Sequence, residues 1–145
     1  MSFPQLSVGR SSGNSGEFPQ LSEILRKDQT PEKLGPGYWF RIHTKGKNAK
    51  TIGEIKDYIR FIKEVEEEFP CDVCTGELKI YVKNNPIENY VNLVDEKSQR
   101  IGMFTWSWQL HNDVNIRLGK PRLDFETCYN LYGGEKCHKI NCNKP

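Results

Sequence analysis

Three observations in the sequence predict an all-α fold, a four-helix bundle with a short fifth helix. Between residues 34 and 132 the apolar side chains recur at steps of three and four. Cap and stop residues divide that stretch into helix-length pieces. Neither alternating strands nor the crossover units of a parallel sheet are found there. A chain of 145 residues with 36% hydrophobic side chains suits one domain with tails. The predicted organisation is a flexible segment over 1–33, a bundle domain over 34–132 and a flexible segment over 133–145. The first segment is rich in Ser, Gly, Pro and Gln, a composition that buries too little apolar surface to offset the entropy of ordering. It repeats Phe-Pro-Gln-Leu-Ser at 3–7 and 18–22, far too short a unit for a repeat architecture.

Gly35-Pro36-Gly37 punctuates the chain, so the first helix is predicted to begin at Tyr38. Trp39 and His43 then lie one turn apart and share a face. Taken alone, this pair is better explained by a buried Trp beside a hydrogen-bonded His than by a bound ligand. Residues 51–69 form the second helix, with Ile52, Ile55, Ile59, Ile62, Val65 and Phe69 on one face and a capping box from Thr51 and Glu54. Pro70 is predicted to open the third helix, which aligns Cys71, Cys74, Leu78 and Val82 and stops near Asn84-Asn85-Pro86. Residues 86–97 read as a loop. Ser98 is expected to cap the fourth helix, along which Ile101, Phe104, Trp108, His111, Asn115 and Leu118 recur before Gly119 and Pro121 end it. That stripe turns from apolar to polar at His111, and its polar atoms need partners from the protein or from a ligand. A short fifth helix runs roughly from Asp124 to Tyr132. A polar tail with Cys137 and Cys142 follows Gly133-Gly134.

The charge balance, 21 basic against 19 acidic residues, makes no large field of one sign and points to neither nucleic acid nor an anionic membrane. No run approaches a membrane span, and the N-terminus lacks the apolar core of a signal peptide. The expectation is a soluble, cytoplasmic protein. Five cysteines without an export signal favour catalytic, metal-binding or free thiols over a secreted disulfide framework.

Cys71 and Cys74, at i and i+3 near a helix start, can reach each other, and the positive end of the helix favours a thiolate there. The pair suits either dithiol–disulfide exchange or half of a zinc site. A zinc-binding module would complete its set with Cys137 and Cys142, with His138 to spare, but it gives no role to His43, His111 and Asn115.

Taken together, Gly35-xxx-Trp39-xxx-His43, Pro70-Cys71-xx-Cys74, Asn85-Pro86 and Trp106-x-Trp108-xx-His111-Asn112-x-Val114-Asn115-x-Arg117-Leu118-Gly119-Lys120-Pro121 resemble the flavin-linked Erv/ALR sulfhydryl oxidases, in the order that family has them. The resemblance covers residues 35–126. It implies a five-helix bundle holding FAD non-covalently, usually as a homodimer. Protein thiols are then oxidised to disulfides, and O2 is reduced to hydrogen peroxide. By match of motifs, Gly35, Trp39, His43, Trp108, His111, Asn112, Asn115, Leu118 and Lys120 are the implied FAD contacts. Cys71 and Cys74 are the implied redox disulfide, with Cys74 nearer the flavin and Cys71 the sulfur attacked by substrate. Cys137 and Cys142 resemble a tethered shuttle dithiol. No metal is implied.

Two departures stand out. Pro36 occupies a position where many cellular members have Arg. Trp108 stands where cellular members commonly have the partner of a structural disulfide, so Cys128 is expected to be free. In this the chain is similar to the compact viral members, which would place it in a host cytoplasm or a virion.

Overall fold

The computed structural model describes residues 29–133. Five helices follow in order: α1 (Pro31–Asn48), α2 (Ile52–Glu68), α3 (Asp72–Asn84), α4 (Gly102–Arg117) and α5 (Phe125–Leu131). A single 3-10 turn, Ile87–Tyr90, lies between α3 and α4, and Val94 and Arg100 form an isolated bridge. The described residues contain no strand, as the apolar periodicity predicts.

α1 packs mainly on α4, α2 on α1 and α3, and α5 on α4. Two close approaches of backbone fix this arrangement, one tight for any side chain and one that excludes it. At Gly46 a Cβ would lie 3.1 Å from the Met103 carbonyl of α4. At Gly102 a Cβ would coincide with the Tyr90 carbonyl, so no other residue fits there. The core gathers around Trp106, which is wholly buried, with Tyr58 and Tyr81 edge-on to its ring at 6.4 and 5.6 Å. The Trp106 indole N–H donates to the Asn85 carbonyl at 2.8 Å, as a buried polar handle must. Ile42, Ile55, Phe61, Ile62, Val65, Met103 and Leu110 complete that core.

The structure departs from the expected elements at four places, three of them boundaries. α1 starts at Pro31 and passes through Gly35-Pro36-Gly37 rather than beginning at Tyr38. Pro31 at the helix start has no N–H to waste, and the bond lost at Pro36 belongs to the carbonyl of exposed Glu32, which water can satisfy. α3 starts one residue beyond Cys71, not at Pro70, because Cys71 itself is the cap and its sulfur accepts the Cys74 N–H at 3.2 Å. Ser98 does not cap α4: it sits in a turn at φ 60°, and α4 begins at Gly102. Leu118 is 62% exposed, so the α4 stripe fails at its last position.

Other local signals fold as expected. Thr51 and Glu54 make the reciprocal capping box. α4 ends in a Schellman turn in which Lys120 N–H bonds the Asn115 carbonyl and Gly119 N–H that of Ile116, with Gly119 at φ 67°. Asp124 caps α5 by accepting the Thr127 N–H at 2.9 Å.

Candidate active site

A cleft of about 1030 Å³ opens between α1, α3 and α4 and the segment after α4. α1 contributes Gly35 and Trp39 to its wall, α3 contributes Cys74 and Leu78, and α4 contributes His111 and Asn115. Leu118, Lys120 and Arg122 close one side, and Tyr132, just beyond α5, also borders it. Seven predicted site residues therefore meet at one cavity: Gly35, Trp39, Cys74, His111, Asn115, Leu118 and Lys120.

Cys71 and Cys74 are joined as a disulfide, with Cα atoms 5.2 Å apart. Only Cys74 lines the cleft; Cys71 does not. Three residues further along α3, Glu77 pairs with Arg117 of α4, and Asp113 approaches the same guanidinium at 3.4 Å. This ion network ties the helix carrying the disulfide to the helix carrying His111.

A stack of rings runs inward from the cleft wall. Trp39 and His111 are parallel within 2° at 3.8 Å between centroids, and His43 stacks beside both. His43 is wholly buried and does not reach the cleft. Its Nδ1 is 2.9 Å from the Ser107 hydroxyl and its Nε2 is 2.8 Å from His111 Nδ1. Burial, together with the neighbouring His111 ring, pushes the His43 pKa down to about 3. Burial and the Lys120 cation push that of His111 down to about 4. Both rings are thus neutral at physiological pH.

Trp108 and Asn112 do not line the cleft either. They hold the segment that does: the Trp108 indole donates to the Leu123 carbonyl at 2.8 Å, and the Asn112 side chain both donates to that carbonyl and accepts the Leu123 N–H at 2.7 Å. Asn115 is buried and donates to the Pro121 carbonyl at 3.2 Å. Sequence reasoning missed Ser107, which no spacing rule marks but which, among the described residues, is the only hydrogen-bond partner of His43 Nδ1. It also missed the roles of Tyr38 and Phe69, which meet edge-on at 4.7 Å on the cleft wall.

Cys128 is a free thiol, buried, as expected from the absence of a cysteine at position 108. Cys137 and Cys142 lie outside the described residues. Among the described residues no three His, Cys, Asp or Glu side chains group as metal ligands, so the zinc alternative gains nothing from them.

The profile of the Erv1 / Alr family matches residues 36–134. The chain belongs to that family. Relatives include the mitochondrial FAD-linked sulfhydryl oxidase ERV1 of Saccharomyces cerevisiae, 25% identical over 125 residues, or 81% of this chain and 60% of that protein. The FAD-linked sulfhydryl oxidase ERV1 of Oryza sativa subsp. japonica is 26% identical over 83% of this chain and 62% of its own. Protein 347L of Invertebrate iridescent virus 6, named for the same activity, is 29% identical over 66% of this chain and 88% of its own. The chain thus spans about 60% of the length of the cellular relatives. The crystal structure of the yeast Erv1 core has the same fold, with a TM-score of 0.59 over 92% of this chain and 100% of that one at 18% identity. The FAD binding domain of Erv1 from Saccharomyces cerevisiae matches at a TM-score of 0.58 over 70% of this chain, with 22% identity.

Proposed function

We propose that this Erv1 / Alr family member is an FAD-dependent thiol oxidase that makes disulfide bonds in protein substrates. One observation carries the reading: the Cys71–Cys74 disulfide has one sulfur-bearing residue, Cys74, on the wall of a cleft shared with Trp39 and His111. The cleft fits the cofactor. Its volume lies at the upper end of the usual range for small-molecule sites, as a dinucleotide demands. Aromatic side chains in its lining suit planar rings, and Lys120 and Arg122, also in the lining, suit a pyrophosphate. Trp39, His111, Asn115, Leu118 and Lys120 would hold it directly. His43, Trp108 and Asn112 would act from behind them. Bound FAD would accept two electrons from the cysteine pair and pass them to O2, giving H2O2.

The chain's own chemistry is thiol–disulfide exchange. A substrate thiolate attacks Cys71, forming a mixed disulfide as the Cys71–Cys74 bond breaks and Cys74 leaves as a thiolate. The substrate's second thiolate then attacks its own sulfur in that mixed disulfide, and Cys71 is released as a thiolate. The substrate has lost two electrons and the Cys71/Cys74 pair has gained them. Cys71 is suited to both steps because, as the cap of α3, its sulfur receives the Cys74 N–H and sits at the positive end of the helix. Cys74, facing the cleft, is suited to hand the electrons on. Cys137 and Cys142 serve in this reading as a tethered dithiol relaying electrons from bulky substrates to Cys71, at the millimolar effective concentration a short tether provides. Family resemblance supports a homodimer.

Oxygen consumption with dithiothreitol and with a reduced protein dithiol tests the assignment. Cys71→Ser and Cys74→Ser should each abolish consumption with both substrates. Deletion of residues 134–145 should slow only the protein substrate. Undiminished turnover in Cys74→Ser would contradict the route through the pair.

A further inference from the structure

The hydrogen bonds behind the cleft admit only one arrangement of protons. The Ser107 Oγ lies 2.7 Å from the Phe104 carbonyl oxygen. Two oxygens that close need a hydrogen between them, and a carbonyl has none, so the Ser107 hydroxyl donates to Phe104. The buried Tyr58 hydroxyl also lies beside Ser107; with the Ser107 hydrogen on the 2.7 Å path to Phe104, Tyr58 can approach that oxygen only as a donor, which leaves the direction unchanged. With its one hydrogen committed, Ser107 Oγ can only accept from His43, whose proton must then be on Nδ1. A neutral His43 protonated at Nδ1 has a bare Nε2, and the 2.8 Å contact from that atom to His111 Nδ1 needs the hydrogen to come from His111. His111 in turn has no proton for its own Nε2, which no described residue hydrogen-bonds, on a ring that lines the cleft.

We propose that Ser107 is a positioning residue: through His43 it fixes His111 in the Nδ1–H form, so that His111 Nε2 faces the cleft as a hydrogen-bond acceptor. The group it selects is an uncharged O–H or N–H donor on the bound molecule, and this assignment to FAD rests on the function proposed above. Without Ser107 the same ring would present a donor instead, and the cleft would repel the groups it now accepts.

Long-range proton–nitrogen NMR correlation of the imidazoles in the full-length protein, with whatever cofactor it retains, reads the tautomers directly. The chain has three histidines, and His138→Gln removes the third signal. Both His43 and His111 should be protonated at Nδ1 and bare at Nε2, the reverse of the form that free histidine prefers in water. In Ser107→Ala both should switch to Nε2–H, while Ser107→Thr, which keeps the hydroxyl, should retain the parent pattern. An Nε2–H ring at either position in the parent protein, or an unchanged pattern in Ser107→Ala, would overturn the proposal. Should Ser107→Ala fail to fold, the parent spectrum alone decides. A colourless protein with the predicted tautomers would sink the FAD reading and leave this one standing; a yellow protein without them would do the opposite.

Discussion

His43 and His111 show how a single residue's burial becomes a property of the whole protein. In the unfolded chain an imidazole titrates near 6.5, whereas in the fold the two titrate at about 3 and about 4. Between pH 6.5 and 4 the unfolded chain therefore binds up to two protons that the native state refuses. Stability must rise with pH through that window and fall as acid is added. The largest possible slope is about 1.4 kcal/mol per pH unit for each imidazole, and His111 contributes less because water reaches part of its ring and screens it. Urea midpoints taken at pH 7.5, 6.5 and 5.5 at constant, saturating FAD should decline in that order, and His111→Gln should flatten the trend. A midpoint independent of pH across that range would show that neither ring is held neutral by the fold.

α5 is the smallest helix, and polar contacts, beside the packing of Phe125 and Tyr129 on Phe104, fix it in place of a covalent clamp. Lys47 at the end of α1 donates to the Tyr129 and Tyr132 carbonyls, where a cation at a helix C-terminus is favourable, and its ammonium also lies 4.1 Å over the Tyr129 ring. Burial lowers the Lys47 pKa, and the neighbouring Lys50 lowers it further. On the α4 side Asn112 satisfies both backbone groups of Leu123. Asn112→Ala should destabilise by about 1–3 kcal/mol, the cost of stranding part-buried backbone groups, and Lys47→Met by about 1 kcal/mol. Both should speed proteolysis within 120–133 before the rest of the chain is cut. Parent-like protease resistance in the double variant would mean that side-chain packing alone holds α5.

How far each element could be read from the sequence follows the same physics. α2 is legible because one face meets the core and the other meets water, although Tyr58 and Phe61 join that face and Ile52, at 46% exposure, does not. α4 is only half legible. It is covered on two sides, so Met103, Trp106 and Leu110 are buried as deeply as the stripe through Phe104 and Asn115, and no single periodicity describes it. The start of α1 was obscured by Gly35-Pro36-Gly37, whose breaking tendency near a solvated first turn costs too little to stop the helix.

At the scale of the molecule, the two faces of α4 explain the architecture. One side, through Trp106, packs against α2 and α3 and makes the core. The other, through His111 and Asn115, makes the cleft into which α3 brings Cys74. The family resemblance located seven of the residues that line the cleft, while most of its remaining wall carried no motif. It could not separate those that line the cavity from His43, Trp108 and Asn112 behind it, since both sets lie within one turn of each other. A bundle of this size with so large a cleft gains stability from any molecule that fills it in the native state alone. In the function proposed above this molecule is FAD, seated against Trp39 and His111. The most direct test of that function is the absorbance of the purified protein near about 450 nm, where oxidised flavins absorb, in the parent and in Trp39→Ala. The parent protein should be yellow, and the variant largely colourless and less stable. A folded parent that is colourless and takes up no FAD when it is added would contradict that function.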